Sequence, residues 1–394
     1  MSFTREERER HIYIVGKSGS GKSTALFNLA MQDIEDGEGI ALIDPHGDLA
    51  EAVADCIPRH RTNEVCYIDA ADSVRPVGFN PLAGIPPERQ ALAASGIVSA
   101  FKHLWGDSWG PRLEHFLYHG VATLIARSNS TLIELPRLFT DDDFRERAVR
   151  GVIDPITKAF WRDEFEKYDL RFRTEAVAPI LNKAGQFAAS PNMRLILGQR
   201  NPKFDLAHAM NNRQIVIVNL AKGKIGEQAA NLLGSLMISH LQLNTMERSH
   251  LPIEDRVPFF VHVDEFQNFG TDAFASLLAE ARKFATHFCL ANQFTEQLSP
   301  YVRASVLGNA GSLIVFRVSG ADAEILSPEF HPLPPNALAD QWPFNARIRR
   351  GSAGHDPVEV SPPLFLSRAS LGRVVQQTKR NFGRSSASVR KRSA

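Results

Sequence analysis

Hydrophobic residues along this chain fall into two kinds of pattern, and their alternation predicts the architecture. Short continuous runs rich in β-branched and aromatic residues recur at "HIYIV" (11–15), "GIALID" (39–44), "EVCYIDA" (64–70), "QIVIVNL" (214–220), "VPFFVHVDE" (257–265), "THFCLANQ" (286–293) and "GSLIVFRV" (311–318). Runs of this kind suit strands covered on both faces, as in a parallel sheet flanked by helices. Helical spacing separates most of them, at "STALFNLAMQDI", "GEQAANLLGSLMISHLQLNTMER" and "DAFASLLAEARKFA". That alternation predicts an α/β domain with a mostly parallel sheet and right-handed crossovers.

Between Asn80 and about Ala207 the strand-like runs nearly vanish, and helical spacing with Pro, Ser or Asp at the starts takes over. The expected organisation is therefore a core in two parts, 1–80 and 208–326, around an all-helical insertion at 81–207. Frequent prolines at 327–366 predict an extended segment lying on the core. The last stretch, 367–394, carries Arg368, Arg373, Lys379, Arg380, Arg384, Arg390, Lys391 and Arg392 without an acidic residue. Such a serine-rich basic end is expected to lack fixed structure and either to touch phosphate backbones or acidic membranes, or simply to be solvated.

Composition narrows the function classes. At 394 residues, with 43% hydrophobic and 23% charged residues and a formal charge of +1, the chain reads as globular, and any nucleic-acid surface must be local. No apolar stretch is long enough to span a bilayer and "MSFTREERER" is neither a secretory signal nor an anchor, so the expected location is cytoplasmic. Cys56, Cys66 and Cys289 are too scattered for a disulfide framework or a zinc site and read as buried thiols.

One motif carries strong chemistry. "GKSGSGKS" matches the phosphate-loop pattern G-x-x-x-x-G-K-[ST] and has the required strand before it and helix after it. Gly16, Lys17, Ser18, Gly19, Ser20, Gly21, Lys22, Ser23 and Thr24 are the expected nucleotide-binding residues. The glycines let backbone N–H groups face the phosphates, Lys22 bridges the β- and γ-phosphates, and the Ser23 hydroxyl ligates Mg2+ beside Thr24. ATP with Mg2+ is the expected cofactor. "VPFFVHVDEF" ends an apolar run on Asp264, expected on the metal side, and Glu265, expected to orient and deprotonate water. Gln293 closes the next strand as a candidate contact to the γ-phosphate or its water. Arg282 is the candidate to reach a neighbouring subunit's nucleotide, with Lys283 as its rival.

Other clusters have plainer readings. Asp44, His46 and Asp48 follow the second strand; the expectation is a turn with Asp48 capping the next helix, and Asp44 lining the site. Trp105, Trp109, Arg112, His115 and His119 lie in the helical insertion, either as core of an amphipathic helix or as a base-stacking surface.

Taken in order, "GKSGSGKST", "IDPHGDL", "VDEFQNF", "EARK" and "LANQ" around a helical insertion resemble the HerA/FtsK superfamily of hexameric DNA-pumping ATPases, and most of all its TraG/TraD-type coupling proteins of conjugation and type IV secretion. The resemblance runs roughly from His11 to Arg317. It implies a RecA-like P-loop core, Lys22 and Ser23 on ATP and Mg2+, Asp264 and Glu265 as the Walker B pair, Gln293 as sensor and Arg282 as a finger in trans. It also implies a homo-hexameric ring with DNA in its channel, and a relaxase, nuclease or secretion-machinery partner. The implied activity is ATP-driven DNA translocation; the alternatives are a double-strand pump working with a nuclease, and a nucleotide-gated adaptor that moves nothing. Coupling proteins usually begin with membrane-spanning helices, whereas here the phosphate loop starts at Gly16. The expectation is thus a motor without its own anchor, placed at a membrane by a partner or by the basic tail.

Overall fold

The computed structural model describes residues 2–351, 353–360 and 366–393. Among the described residues nine strands form one sheet: β1 Ile12–Val15, β2 Gly39–Asp44, β3 Val65–Asp69, β4 Ile215–Asn219, β5 Phe259–Val263, β6 Thr286–Asn292, β7 Ser312–Val315, β8 Asn345–Arg350 and β9 Ala353–Glu359. Their order is β3-β4-β2-β5-β6-β1-β7-β8-β9. The pairings among β1, β2, β4, β5, β6 and β7 are parallel, as the continuous apolar runs predict. Every residue of β1, β2, β4, β5, β6 and β7 is buried.

The chain divides into two compact units, one of residues 1–68, 205–222 and 244–378, the other of residues 69–204, 223–243 and 379–394. The first is the sheet unit. Its core joins strand residues such as Ile14, Leu42, Ile217 and Phe260 to Leu26, Leu29 and Ile34 of the helix Lys22–Glu35. The second is helical and is held by an aromatic cluster in which Phe116, Phe160, Trp161 and Phe165 meet edge to face. His119 stacks on Phe160 at 4.4 Å and is buried, so it is core; Arg112 and His115 are exposed, and Trp105 and Trp109 are half-buried. The helical unit also takes in 223–243 from the helix Glu227–Glu247, which the sequence reading placed in the core. That helix is apolar around much of its circumference, so its spacing does not say which core it serves.

Two further expectations are corrected. Within 327–366, β8 and β9 form an antiparallel hairpin that continues the sheet from β7, while the part at 361–365 lies outside the described residues. β8 buries only Ala346 and Ile348 among its arginines, an alternation typical of a strand with one covered face. The basic end, expected to be unstructured, forms the helices Leu371–Asn381 and Ser386–Ser393. Val374 and Thr378 are buried, and burial of an amphipathic face supplies the stability that the composition alone does not indicate. Among the described residues no helix is long and apolar enough to cross a membrane, and all three cysteines are buried thiols outside any disulfide.

Thr378 shows how the C-terminal helix is fastened. β3 is an edge strand, and the Thr378 hydroxyl accepts from the Tyr67 N–H at 3.0 Å and donates to the Val65 carbonyl at 3.1 Å. Thr378→Val keeps the volume but removes both of these buried hydrogen bonds, so the unfolding free energy should drop by about 2 kcal/mol. Hydrogen exchange checks the cause: the Tyr67 amide should be protected in the parent and lose protection in the variant.

Candidate nucleotide site

The parallel strands deliver their functional residues to one edge. Val15 pairs with Asn292 and Val315, Ile43 with Val263, and Asp44 with Asn219. Gly16, Asp264, Gln293 and Phe316 therefore leave the sheet at its C-terminal edge, where open α/β sheets bind ligands.

The loop from Gly16 to Gly21 turns back over the start of the helix Lys22–Glu35. A methyl group on Gly16 would sit 2.5 Å from the Phe316 Cβ, too close for any side chain. Gly21 has φ 115, a conformation that favours glycine. The Lys17 N–H donates to the Arg317 carbonyl at 2.8 Å, and the Phe344 N–H donates to the Ser20 carbonyl at the same distance. These bonds preform a loop whose own N–H groups can serve an anion. Lys22 opens the helix, is buried, and donates to the Lys17 carbonyl at 3.2 Å. Burial lowers its pKa, while Asp264 and Glu265 oppose that shift.

The Ser23 hydroxyl lies 3.4 Å from Asp264 Oδ2. Asp264 is 6% exposed. Burial first, then Asp44 and Glu265, push its pKa up to about 6, against the Glu265 N–H and Lys22. Glu265 takes a left-handed backbone, φ 48 and ψ 46, which is costly for a residue with a Cβ. That turn aims its carboxylate at two amides: Gln293 Nε2 donates to Oε1 at 2.9 Å and Gln267 Nε2 to Oε2. Lys22, Ser23, Asp264, Glu265 and Gln293 thus lie together.

Arg282 is not among them. It is exposed on the 3-10 turn Ala281–Phe284, just before β6, beside an equally exposed Lys283. Gln293 follows the other end of β6, about 20 Å away across the strand. Asp48 also departs from expectation: it is the first residue of the helix Asp48–Cys56 rather than its cap. The cap position is Gly47, with φ 103, and the side chain that serves the start of the helix is Asp44, whose oxygens accept from the His46 and Ala50 N–H groups, each at 2.9 Å.

The donor set fits Mg2+ held together with a nucleotide. Ser23 and Asp264 meet beside a cavity of about 460 Å³ that Thr24, Asp44 and Asp48 also line. Among the described residues no group of three or more His, Cys, Asp or Glu could hold a metal on its own. A cation here needs phosphate oxygens and water to complete its shell, which is how Mg2+ is bound in nucleotide sites.

Sequence reasoning missed a layer beneath the site. Asp33, on the helix after the phosphate loop, accepts from Arg8 on one oxygen and lies 2.8 Å from His262 Nε2 on the other. All three are buried, and Arg8 also pairs with Asp36 at 2.6 Å. This chain ties the phosphate-loop helix to the strand that carries Asp264. Arg317, Phe344 and Gln267 were missed as well, since only the tertiary fold brings them to the loop or to Glu265.

The Asp264 shift has a testable sign. A carboxyl whose pKa rises from 3.8 to about 6 on folding destabilises the fold as pH climbs through that window, by about 3 kcal/mol once fully charged. Asp264→Asn should therefore be more stable than the parent near neutral pH, by up to that amount. The advantage should shrink as pH falls toward about 4. Denaturant unfolding at a series of pH values checks it.

No protein-family model matches the chain, and no curated protein matches it in sequence. Solved structures do. The bacterial conjugative coupling protein TrwBdeltaN70, unbound, aligns over 92% of this chain and 88% of its own, at 16% identity and a TM-score of 0.66. The plasmid coupling protein TrwB in complex with ADP and Mg2+ covers the same shares at 16% identity and 0.67. VirB4 of Thermoanaerobacter pseudethanolicus aligns over 89% of each chain at 14% identity and 0.61. At such identities the likeness is one of fold: the chain has the α/β P-loop core of these two proteins.

Proposed function

We propose that the chain is an ATPase that drives DNA transfer of the conjugative or mobile-element kind, turning over ATP at the subunit interfaces of a homo-hexameric ring. The observation that carries this reading is the meeting of Lys22, Ser23 and Asp264 with a Glu265 carboxylate that Gln293 holds at 2.9 Å. Support for the context comes from the shared fold with TrwB, solved with ADP and Mg2+ and with a non-hydrolysable ATP analogue.

In this reading the chemistry needs little covalent work from the protein. Lys22 and the loop N–H groups neutralise the phosphates, while Ser23 and Asp264 hold Mg2+, which supplies charge neutralisation of the transferring phosphoryl group. Glu265 takes the proton of the attacking water. Gln293 and Gln267 fix the carboxylate and keep its position dependent on β6 and the turn after β5. Any shift of Gln293 on loss of the γ-phosphate then reaches β6 directly.

Arg282 sits at the opposite edge of the sheet from its own phosphate loop, so a nucleotide within its reach belongs to another subunit. A ring supplies that arrangement, and a guanidinium there spreads transition-state charge. DNA in the channel, a relaxase, nuclease or secretion partner, and membrane placement through that partner complete the proposal.

Lys22→Ala should abolish turnover, and Glu265→Gln should keep ATP binding while turnover falls by about 10²- to 10⁴-fold. DNA should stimulate the parent's ATPase; a rate indifferent to single- and double-stranded DNA alike would contradict the translocase reading. Mixed assemblies test the finger: Arg282→Ala subunits should regain turnover when combined with Lys22→Ala subunits, and no recovery in demonstrably mixed rings contradicts a role in trans.

A further inference from the structure

The reactive end of the nucleotide site lies on one flank of β1. Glu265 follows β5 and Gln293 follows β6, and β6 separates β5 from β1. A triphosphate with its γ-phosphate at Glu265 must therefore lead its α-phosphate and nucleoside toward the other flank, where β7 and β8 lie. What stands there is aromatic. A methyl group on Gly21 would meet Phe316 Cε1 at 3.0 Å and Phe344 Cδ1 at 3.1 Å, so both rings border the phosphate loop.

The two rings differ in their freedom to meet a ligand. Phe316 is buried, whereas Phe344 is 44% exposed. Phe344 is nonetheless held firmly: its N–H donates to the Ser20 carbonyl at 2.8 Å and its carbonyl accepts from the Val360 N–H at 2.7 Å. Its φ of 63 is costly for a residue with a Cβ. A half-exposed ring on a main chain pinned beside the phosphate loop, in a costly backbone conformation, is positioned to meet a flat partner.

We propose that Phe344 is the stacking platform for the purine base of the nucleotide bound at Lys22 and Ser23. The assignment rests on that site's binding a nucleoside triphosphate. An aromatic face reads a base by its π-surface and not by its hydrogen-bonding edge, so Phe344 contributes affinity for adenine and guanine alike.

The test compares Mg2+-ATP, Mg2+-GTP and inorganic tripolyphosphate with Mg2+, each by calorimetric binding to the full chain. Phe344→Ala should weaken ATP and GTP about tenfold and leave tripolyphosphate unchanged. Phe344→Leu keeps an apolar contact on Gly21 without an aromatic face and should lose the same factor, while Phe344→Trp should retain parental affinity. Parallel loss of tripolyphosphate binding would overturn the proposal, because the ring would then merely prop the loop. Unchanged ATP affinity in Phe344→Ala would overturn it too, by placing the base elsewhere. A parent that binds tripolyphosphate but gains nothing from the base sinks this assignment alone; a parent that binds neither sinks the nucleotide reading with it.

Discussion

The parallel sheet imposes one requirement on which everything else rests: the phosphate loop and the acidic pair, 241 positions apart, must end at the same edge. The 3.4 Å approach of the Ser23 hydroxyl to Asp264 is the visible result. Register enforces it, since Val15 and Asn292 lie side by side and the Asp264 N–H donates to the Ile43 carbonyl at 3.1 Å. A slip of one residue in β5 would turn Asp264 to the other face. The buried chain from Arg8 through Asp33 to His262 fixes the same relation from below.

Electrostatics at this edge is deliberately unbalanced. Burial, then Asp44 and Glu265, disfavour the charged form of Asp264, and Lys22 offsets only part of that. Asp44 accepts two backbone N–H groups, and Glu265 accepts from two amides. Asp264 keeps the burden, which a divalent cation would remove. The raised pKa of Asp264 makes its charged form a cost in stability near neutral pH.

Legibility followed the range of the physics. The phosphate loop is a local device whose glycines and lysine are set by short-range geometry, so "GKSGSGKS" was readable in sequence, as was "VDE" at the end of an apolar strand. The core strands were readable because burial on both faces writes a continuous apolar run. β8 was not, since "NARIRR" buries two residues among arginines. The helix Leu371–Asn381 was not, because its stability comes from Val374 and Thr378 meeting residues some 310 positions earlier. Gly47 displaced Asp48 at the cap position because the chain turns there through a left-handed conformation that composition does not reveal, and Asp44 supplies the accepting oxygens. Arg282 could be named from sequence, yet its place on the far edge is a matter of strand direction.

The most direct measurement is a structure of the chain with Mg2+ and a non-hydrolysable ATP analogue. The account predicts the γ-phosphate between Lys22 and the Glu265–Gln293 pair, with the metal on the Ser23 hydroxyl toward Asp264. A triphosphate bound with its γ-phosphate away from Glu265, or a metal held without Ser23, would contradict it.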